Sequence, residues 1–282
     1  MLKYILFPSG DTIKEQRFEL DSGLRGETLV RKGLMKRVSE IPQIRIMPDL
    51  KVVKIGGHGT MDFGRDVVFP IVEELGALKQ SGEKLLVVTG GGVRVRHIMD
   101  IGINLGMPTG VLAELAGTIS EQNALMMSLL LSPHGGVQVA SDDLLNLPTL
   151  TSLGLLPVIH GTPPYGLYEQ PPEMGSIPPN RTDTGAVLIA EVMGAKTCIL
   201  AKNVDGLYAE DPRLDPDAEF IPEITASELL ARDMEDMVLE KKAVELLLYT
   251  KHITEIRVVN GHVPGTITKA LRGERVGTVI RR

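Results

Sequence analysis

The sequence predicts an α/β protein: a three-layer α/β/α sandwich around a mainly parallel sheet. Three observations lead there. Short, wholly apolar runs rich in β-branched residues recur along the chain. Segments with apolar residues at helical spacing separate them. Several of the runs end in glycine. Strands apolar on both faces suit a parallel sheet covered by helices, and each parallel pair needs a crossover.

The elements follow in order. Lys51 to Ile55 is the first strand, closed by Gly56-Gly57. Val67, Val68, Ile71, Val72, Leu75 and Leu78 mark a helix. Leu85 to Thr89 is a strand closed by Gly90-Gly91-Gly92. A helix follows, with Ile98, Ile101 and Leu105 on one face. Ile119 to Leu131 reads as a helix, and Leu155 to Ile159 as a strand. The Pro- and Gly-rich segment 161–179 has no period; a loop that long in a compact domain usually carries function. Thr184 to Met193 is a helix and Thr197 to Ala201 a strand. Thr225-Ala226-Ser227-Glu228 forms a capping box before Leu229-Leu230. Val238 to Lys251 is a helix and Ile256 to Val259 a strand. A short helix ends at Leu271, and Val276 to Ile280 is the last strand. Residues 1–48 show no sustained period and are expected to form an N-terminal extension. The domain is expected to span 49–282.

Composition narrows the function. The 282-residue chain is 43% hydrophobic and 23% charged, enough for a large core and unlike a disordered chain. A net charge of −6 argues against a nucleic-acid partner. The single cysteine, Cys198, cannot pair internally and suits a reducing compartment. No apolar run reaches the length of a membrane span, and the N-terminal one is too short for a signal peptide. A cytoplasmic protein without membrane partners is expected.

The glycine turns hold the chemistry. Gly56-Gly57, Gly90-Gly91-Gly92 and Asp205-Gly206 each follow a strand. Glycine lets the backbone approach a ligand, and its N–H groups can face phosphate oxygens. In open parallel sheets such ends gather at one edge. The P-loop, the G-x-G-x-x-G fingerprint and the G-x-S-x-G elbow are all absent, and the six histidines show no metal-ligand spacing. Metal ligands are therefore not assigned. Lys54 interrupts an apolar run just before Gly56-Gly57, a costly placement unless its ammonium meets an anion. Asp183 stands at a helix start, and Asp205 and Asp211 flank a strand end. A lysine, glycines and aspartates together suit a nucleotide with Mg²⁺.

Four motifs, in order, resemble the amino acid kinase superfamily: Lys54-Ile55-Gly56-Gly57, Thr89-Gly90-Gly91-Gly92, Arg181-Thr182-Asp183-Thr184, and Asn203 to Tyr208 with Asp211-Pro212. Within it, the stretches Thr89 to His97, Pro163-Pro164-Tyr165, Ile177-Pro178-Pro179 and Val258 to Gly265 resemble the molybdenum storage proteins. The resemblance implies ATP and Mg²⁺ binding, with hydrolysis driving molybdate or tungstate into polyoxometalate clusters. It also implies a hexameric cage of homologous subunits. By resemblance Lys54 and Asp183 are catalytic. Gly56, Gly57, Gly90, Gly91, Gly92, Lys202, Asp205, Gly206, Tyr208 and Asp211 would hold the nucleotide. The histidine run of that group is replaced here by Gly166-Leu167-Tyr168, and an acid and a histidine beside Gln122-Asn123 by Ile119 and Leu125. A small-molecule kinase, or a nucleotide-binding partner subunit without turnover, is the alternative.

Overall fold

The computed structural model describes residues 41–212, 215, 217–234 and 237–282. Most of the expected extension, 1–48, lies outside these residues.

The core of the fold is an eight-stranded sheet. Its strands are β1 (Lys51–Ile55), β2 (Leu85–Thr89), β3 (Gly136–Gln138), β4 (Leu156–His160), β5 (Thr197–Lys202), β8 (Glu223–Thr225), β9 (Glu255–Asn260) and β10 (Thr278–Arg281), in spatial order β3-β4-β2-β1-β5-β9-β10-β8. All neighbours are parallel except β9 and β10, which pair antiparallel with Thr278 opposite Val258. A separate two-stranded ribbon joins β6 (Leu207–Tyr208) to β7 (Phe220–Ile221).

Strand side chains alternate between the two faces, so each apolar run feeds two cores. Val52, Leu86, Val88, Cys198, Leu200, Ile256 and Val258 pack on one side, with α5 (Thr182–Met193), α6 (Ala226–Ala231) and α7 (Lys241–Leu247). Val53, Leu85, Val87, Ile199, Ala201 and Val259 pack on the other, with α1 (Arg65–Gln80), α3 (Thr109–Leu130) and α8 (Thr266–Leu271). This is the three-layer sandwich that the sequence predicts. The capping box is also present: Thr225 Oγ1 accepts from Glu228 N–H, and the Glu228 carboxylate accepts from Thr225 N–H.

Several boundaries differ from expectation. α3 begins ten residues before Ile119, directly after Pro108. Gly110 and Gly117 blur the helical period there. α2 (Val93–Asn104) buries Met99 and Gly102, while Ile101 and Leu105 are exposed. The site of a Cβ on Gly102 lies 2.5 Å from Leu112 of α3, so the glycine lets these helices approach. α7 is shorter than expected, because residues 237–240 cross the strand ends instead. Short β3, β6, β7 and β8, and α4 (Leu147–Ser152), carry no legible period.

Candidate functional site

The carboxyl ends of β1, β2, β4 and β5 meet at one edge of the sheet, where parallel sheets collect ligands. A cavity of about 360 Å³ opens there. β1 brings Lys54, followed by Gly56 and Gly57. β2 is followed by Gly90, Gly91 and Gly92, β5 ends in Lys202, and the first turn of α5 presents Asp183. All eight line the cavity.

The centre is a buried charge cluster. Lys54 Nζ lies 2.8 Å from Asp183 Oδ1, and Lys202 Nζ 2.6 Å from Asp183 Oδ2. Burial alone would raise the Asp183 pKa. The ammonium groups of Lys202 and Lys54 outweigh it and hold the carboxyl well below the usual range. Burial, reinforced by the charge of Lys54, pushes Lys202 down, against the pull of Asp183. Glu240 closes the arrangement from the opposite side. Its carboxylate accepts from the N–H groups of Asp183 at 3.0 Å and Thr184 at 2.9 Å, and its own N–H reaches Asp183 Oδ2 at 3.3 Å. Those helical N–H groups are ones that a helix start leaves unpaired.

Among the described residues, four cationic side chains line the cavity (Lys54, Arg96, Arg181 and Lys202) against two carboxylates, Asp183 and Glu240. The surplus favours an anion. The backbone is shaped for one too. The N–H groups of Gly57, Gly91 and Gly92 find no hydrogen-bond partner among the described residues. The two glycine loops touch: a Cβ on Gly57 would stand 2.1 Å from Gly92 N. Gly92 has φ +74°, and its N–H-rich turn is fixed by Asp62, whose Oδ2 accepts from Val93 N–H at 2.7 Å. Asn123 Nδ2 donates to Gly90 O at 2.5 Å, and Arg94 holds Asn123 and Gln122. Arg94 thus supports the loop, Arg96 lines the cavity, and His97 is exposed. Gly57→Ala is expected to cost about 1–3 kcal/mol by overpacking, read by urea denaturation, and to open the loop pair.

Asp205, Gly206, Tyr208 and Asp211 follow β5 and do not line this cavity. Asp205 Oδ1 accepts from Asn260 Nδ2 at 2.8 Å, and the Tyr208 ring meets Phe220 edge-on at 5.2 Å. Cys198 is buried in β5, and burial first, then the Asp183 charge, pushes its thiol up to about 12, which leaves no thiolate for chemistry. Glu240 and Asp62 escape the sequence reading, which names Asn123 but gives it no role. Only the fold brings them to the strand ends.

A second cavity of about 210 Å³ adjoins the first, sharing Ala113 and Thr162 with it. Glu114, Glu121, Ser141 and His160 line it, with no lysine or arginine among the described residues. His160 Nε2 sits 3.2 Å from Ser141 Oγ, while His160 Nδ1 and Thr162 Oγ1 are buried without partners among the described residues. Burial pulls the His160 pKa down, against the raising effect of Glu121.

Comparison with known proteins gives the family. The model of the amino acid kinase family matches residues 49–269. The chain belongs to the amino acid kinase family. It is 42% identical over 262 residues to a molybdenum storage protein subunit beta of Azotobacter vinelandii, covering 93% of this chain and 97% of that one. It is 30% identical over 246 residues to a uridylate kinase of Thermotoga maritima, covering 84% and 99%. The structure of uridylate kinase from Archaeoglobus fulgidus superposes with a TM-score of 0.64 at 24% identity, over 82% of this chain and 99% of that chain, and so shares the fold. No helix among the described residues is long and apolar enough to cross a membrane.

Proposed function

We propose that this chain is an ATP-binding molybdenum- or tungsten-storage subunit. ATP hydrolysis at the strand-end cavity drives molybdate or tungstate into polyoxometalate clusters inside a cage of homologous subunits, a hexamer, in the cytoplasm. The 42% identity to the Azotobacter storage subunit, over nearly the whole chain, carries this reading.

The cavity fits the nucleotide phosphates. Its unpartnered glycine N–H groups and its cationic surplus match a polyanion. Gly56, Gly57 and Gly90 to Gly92 cradle the phosphates, and Lys54 and Lys202 stabilise their charge. Asp183 pairs with both lysines and fixes their positions, and Glu240 holds the helix start that carries Asp183. Asp205, Gly206, Tyr208 and Asp211, on the segment from the end of β5 through β6 and outside the cavity itself, would take the nucleoside by the family resemblance. A Mg²⁺ ion brought in with the nucleotide would supply neutralisation of phosphate charge, since such ions are usually bound through substrate phosphates with one or two carboxylates rather than by a dedicated protein cage. In phosphoryl chemistry the protein chiefly positions groups and stabilises charge, which is what this cluster is built to do.

A small-molecule kinase is the second reading. The cavity next to the lysines, with its orphaned His160 Nδ1 and Thr162 Oγ1, favours an acceptor there. Glu114 and Glu121, with no cation among the described residues of its lining, speak against a phosphate-bearing acceptor such as uridylate. One experiment separates the readings. The protein is incubated with MgATP and molybdate or tungstate, desalted, and its metal content measured with and without ATP. Many metal atoms per chain, retained only with ATP, is the expected result. Intact ATP binding without retained metal overturns the storage reading and turns the search to hydroxyl and carboxylate acceptors.

A further inference from the structure

We infer that His262 is a positioning residue for the nucleotide site, acting as a latch on the first glycine loop. This rests on the nucleotide reading above and deepens it. His262 lies on the turn between β9 and α8, far along the chain from Lys54. Its Nε2 is 2.5 Å from the carbonyl oxygen of Gly59, three residues after Gly56. A carbonyl can only accept, so Nε2 carries the proton and donates. The other end of the same peptide is also tied, since Thr60 N–H donates to Gly57 O at 3.3 Å. With both ends held, the Gly59–Thr60 peptide plane cannot rotate, and the loop that presents the Gly57 N–H is fixed. The ring of Phe63, further along the same loop, packs edge-on against the His262 imidazole at 4.8 Å between centroids.

The latch also joins two parts of the site. Asn260 Oδ1 accepts from His262 N–H at 2.9 Å, and Asn260 Nδ2 donates to Asp205 Oδ1 at 2.8 Å. One chain of hydrogen bonds therefore runs from Asp205, on the loop after β5, through Asn260 and His262 to Gly59, on the loop after β1. A peptide flip or loop displacement at 57–60 would remove an aimed N–H from the phosphate cradle without touching Lys54 or Asp183. Preorganised donors stabilise an anion because no reorganisation is needed on binding.

The test compares ATP and adenosine binding by calorimetry, with Mg²⁺ present, for the full chain, His262→Ala, His262→Gln and Phe63→Ala. Gln places an N–H donor close to the position of Nε2. His262→Ala is expected to weaken ATP about tenfold, equivalent to roughly 1.4 kcal/mol, with adenosine binding unchanged. His262→Gln is expected to stay within about threefold of the parent for ATP, and Phe63→Ala, altering an exposed ring, to weaken ATP about threefold. ATP affinity within a factor of two in both alanine variants overturns the latch, as does an equal loss for ATP and adenosine. Should His262→Ala fail to fold, Phe63→Ala and His262→Gln decide alone: unchanged ATP binding in the first, or loss in the second as large as any seen, overturns the proposal. A parent protein that binds no ATP overturns the nucleotide reading itself, and the latch with it.

Discussion

Replacing Lys54 by Met is expected to abolish ATP-dependent metal retention while leaving the fold intact. The thioether fills the volume of the lysine stem and removes only the charge. Lys54 is buried, and its Nζ is one of two ammonium groups on Asp183. A hydrogen bond to a charged group is worth about 1.5–3 kcal/mol, so ATP affinity should fall roughly ten- to hundredfold. Stability should change little, within about 1 kcal/mol, because Asp183 keeps Lys202 and no buried charge is left alone. Calorimetry with ATP, metal analysis after desalting, and urea denaturation read the three quantities. Metal retention at the parent level would show that Lys54 does not drive storage.

The opposite balance is expected at Asp183. Asp183→Asn leaves Lys54 and Lys202 buried beside each other with their shared carboxylate gone. Breaking a buried pair by deleting one partner costs about 3–5 kcal/mol, so this variant should be strongly destabilised. The pH dependence has a definite sign. Asp183 is held below its unfolded pKa, so its contribution is fully present above about pH 4 and is lost as pH falls toward its folded value. The stability gap between parent and Asp183→Asn should therefore be widest near neutrality and narrow below about pH 4. Urea denaturation at pH 7 and pH 3 measures it. A constant gap, or none, would mean that the carboxylate is not the keystone of the cluster. Together the two variants separate a group that handles ligand charge from one that keeps the handling groups in place.

How far the sequence reveals this site depends on what each residue must do locally. Lys54 is legible because a lysine inside Lys51-Val52-Val53-Lys54-Ile55 conflicts with its burial unless an anion is near. Gly57 and Gly92 are legible because glycine after an apolar strand marks a turn, although their mutual contact is not. Asp183 shows as a helix start. Glu240 gives no such signal. It is one more acid in a charged stretch, and only the path of 237–240 across the strand ends brings it to the α5 N–H groups. His262 and Asn123 are silent for the same reason, since their partners are tens of residues away or more. The fold shows the same division. Long strands with two apolar faces announce themselves, because each must feed two cores. β3, β6, β7 and β8 span only two or three residues and are defined by pairing, not by period. Ile101 and Leu105 mislead for another reason: a helical stripe of apolar residues does not say which neighbour it faces, and α2 turns Met99 and Gly102 inward instead.

The strand order carries a consequence for how this protein can be cut or can fail. Lys54, Gly92, Asp183, Lys202 and Glu240 arrive from elements scattered across most of the chain, and they converge only because β1 lies between β2 and β5 in the finished sheet. No fragment ending before β5 possesses Lys202, and none beginning after β1 possesses Lys54. Ligand recognition is thus an all-or-none property of the assembled domain, with no minimal binding module to excise. A bound polyanion draws its free energy from every one of these segments at once and stabilises all of them by mass action. Protection by nucleotide against protease would then extend over both layers of helices rather than stop at the loops that touch it, making occupancy a reporter of complete folding.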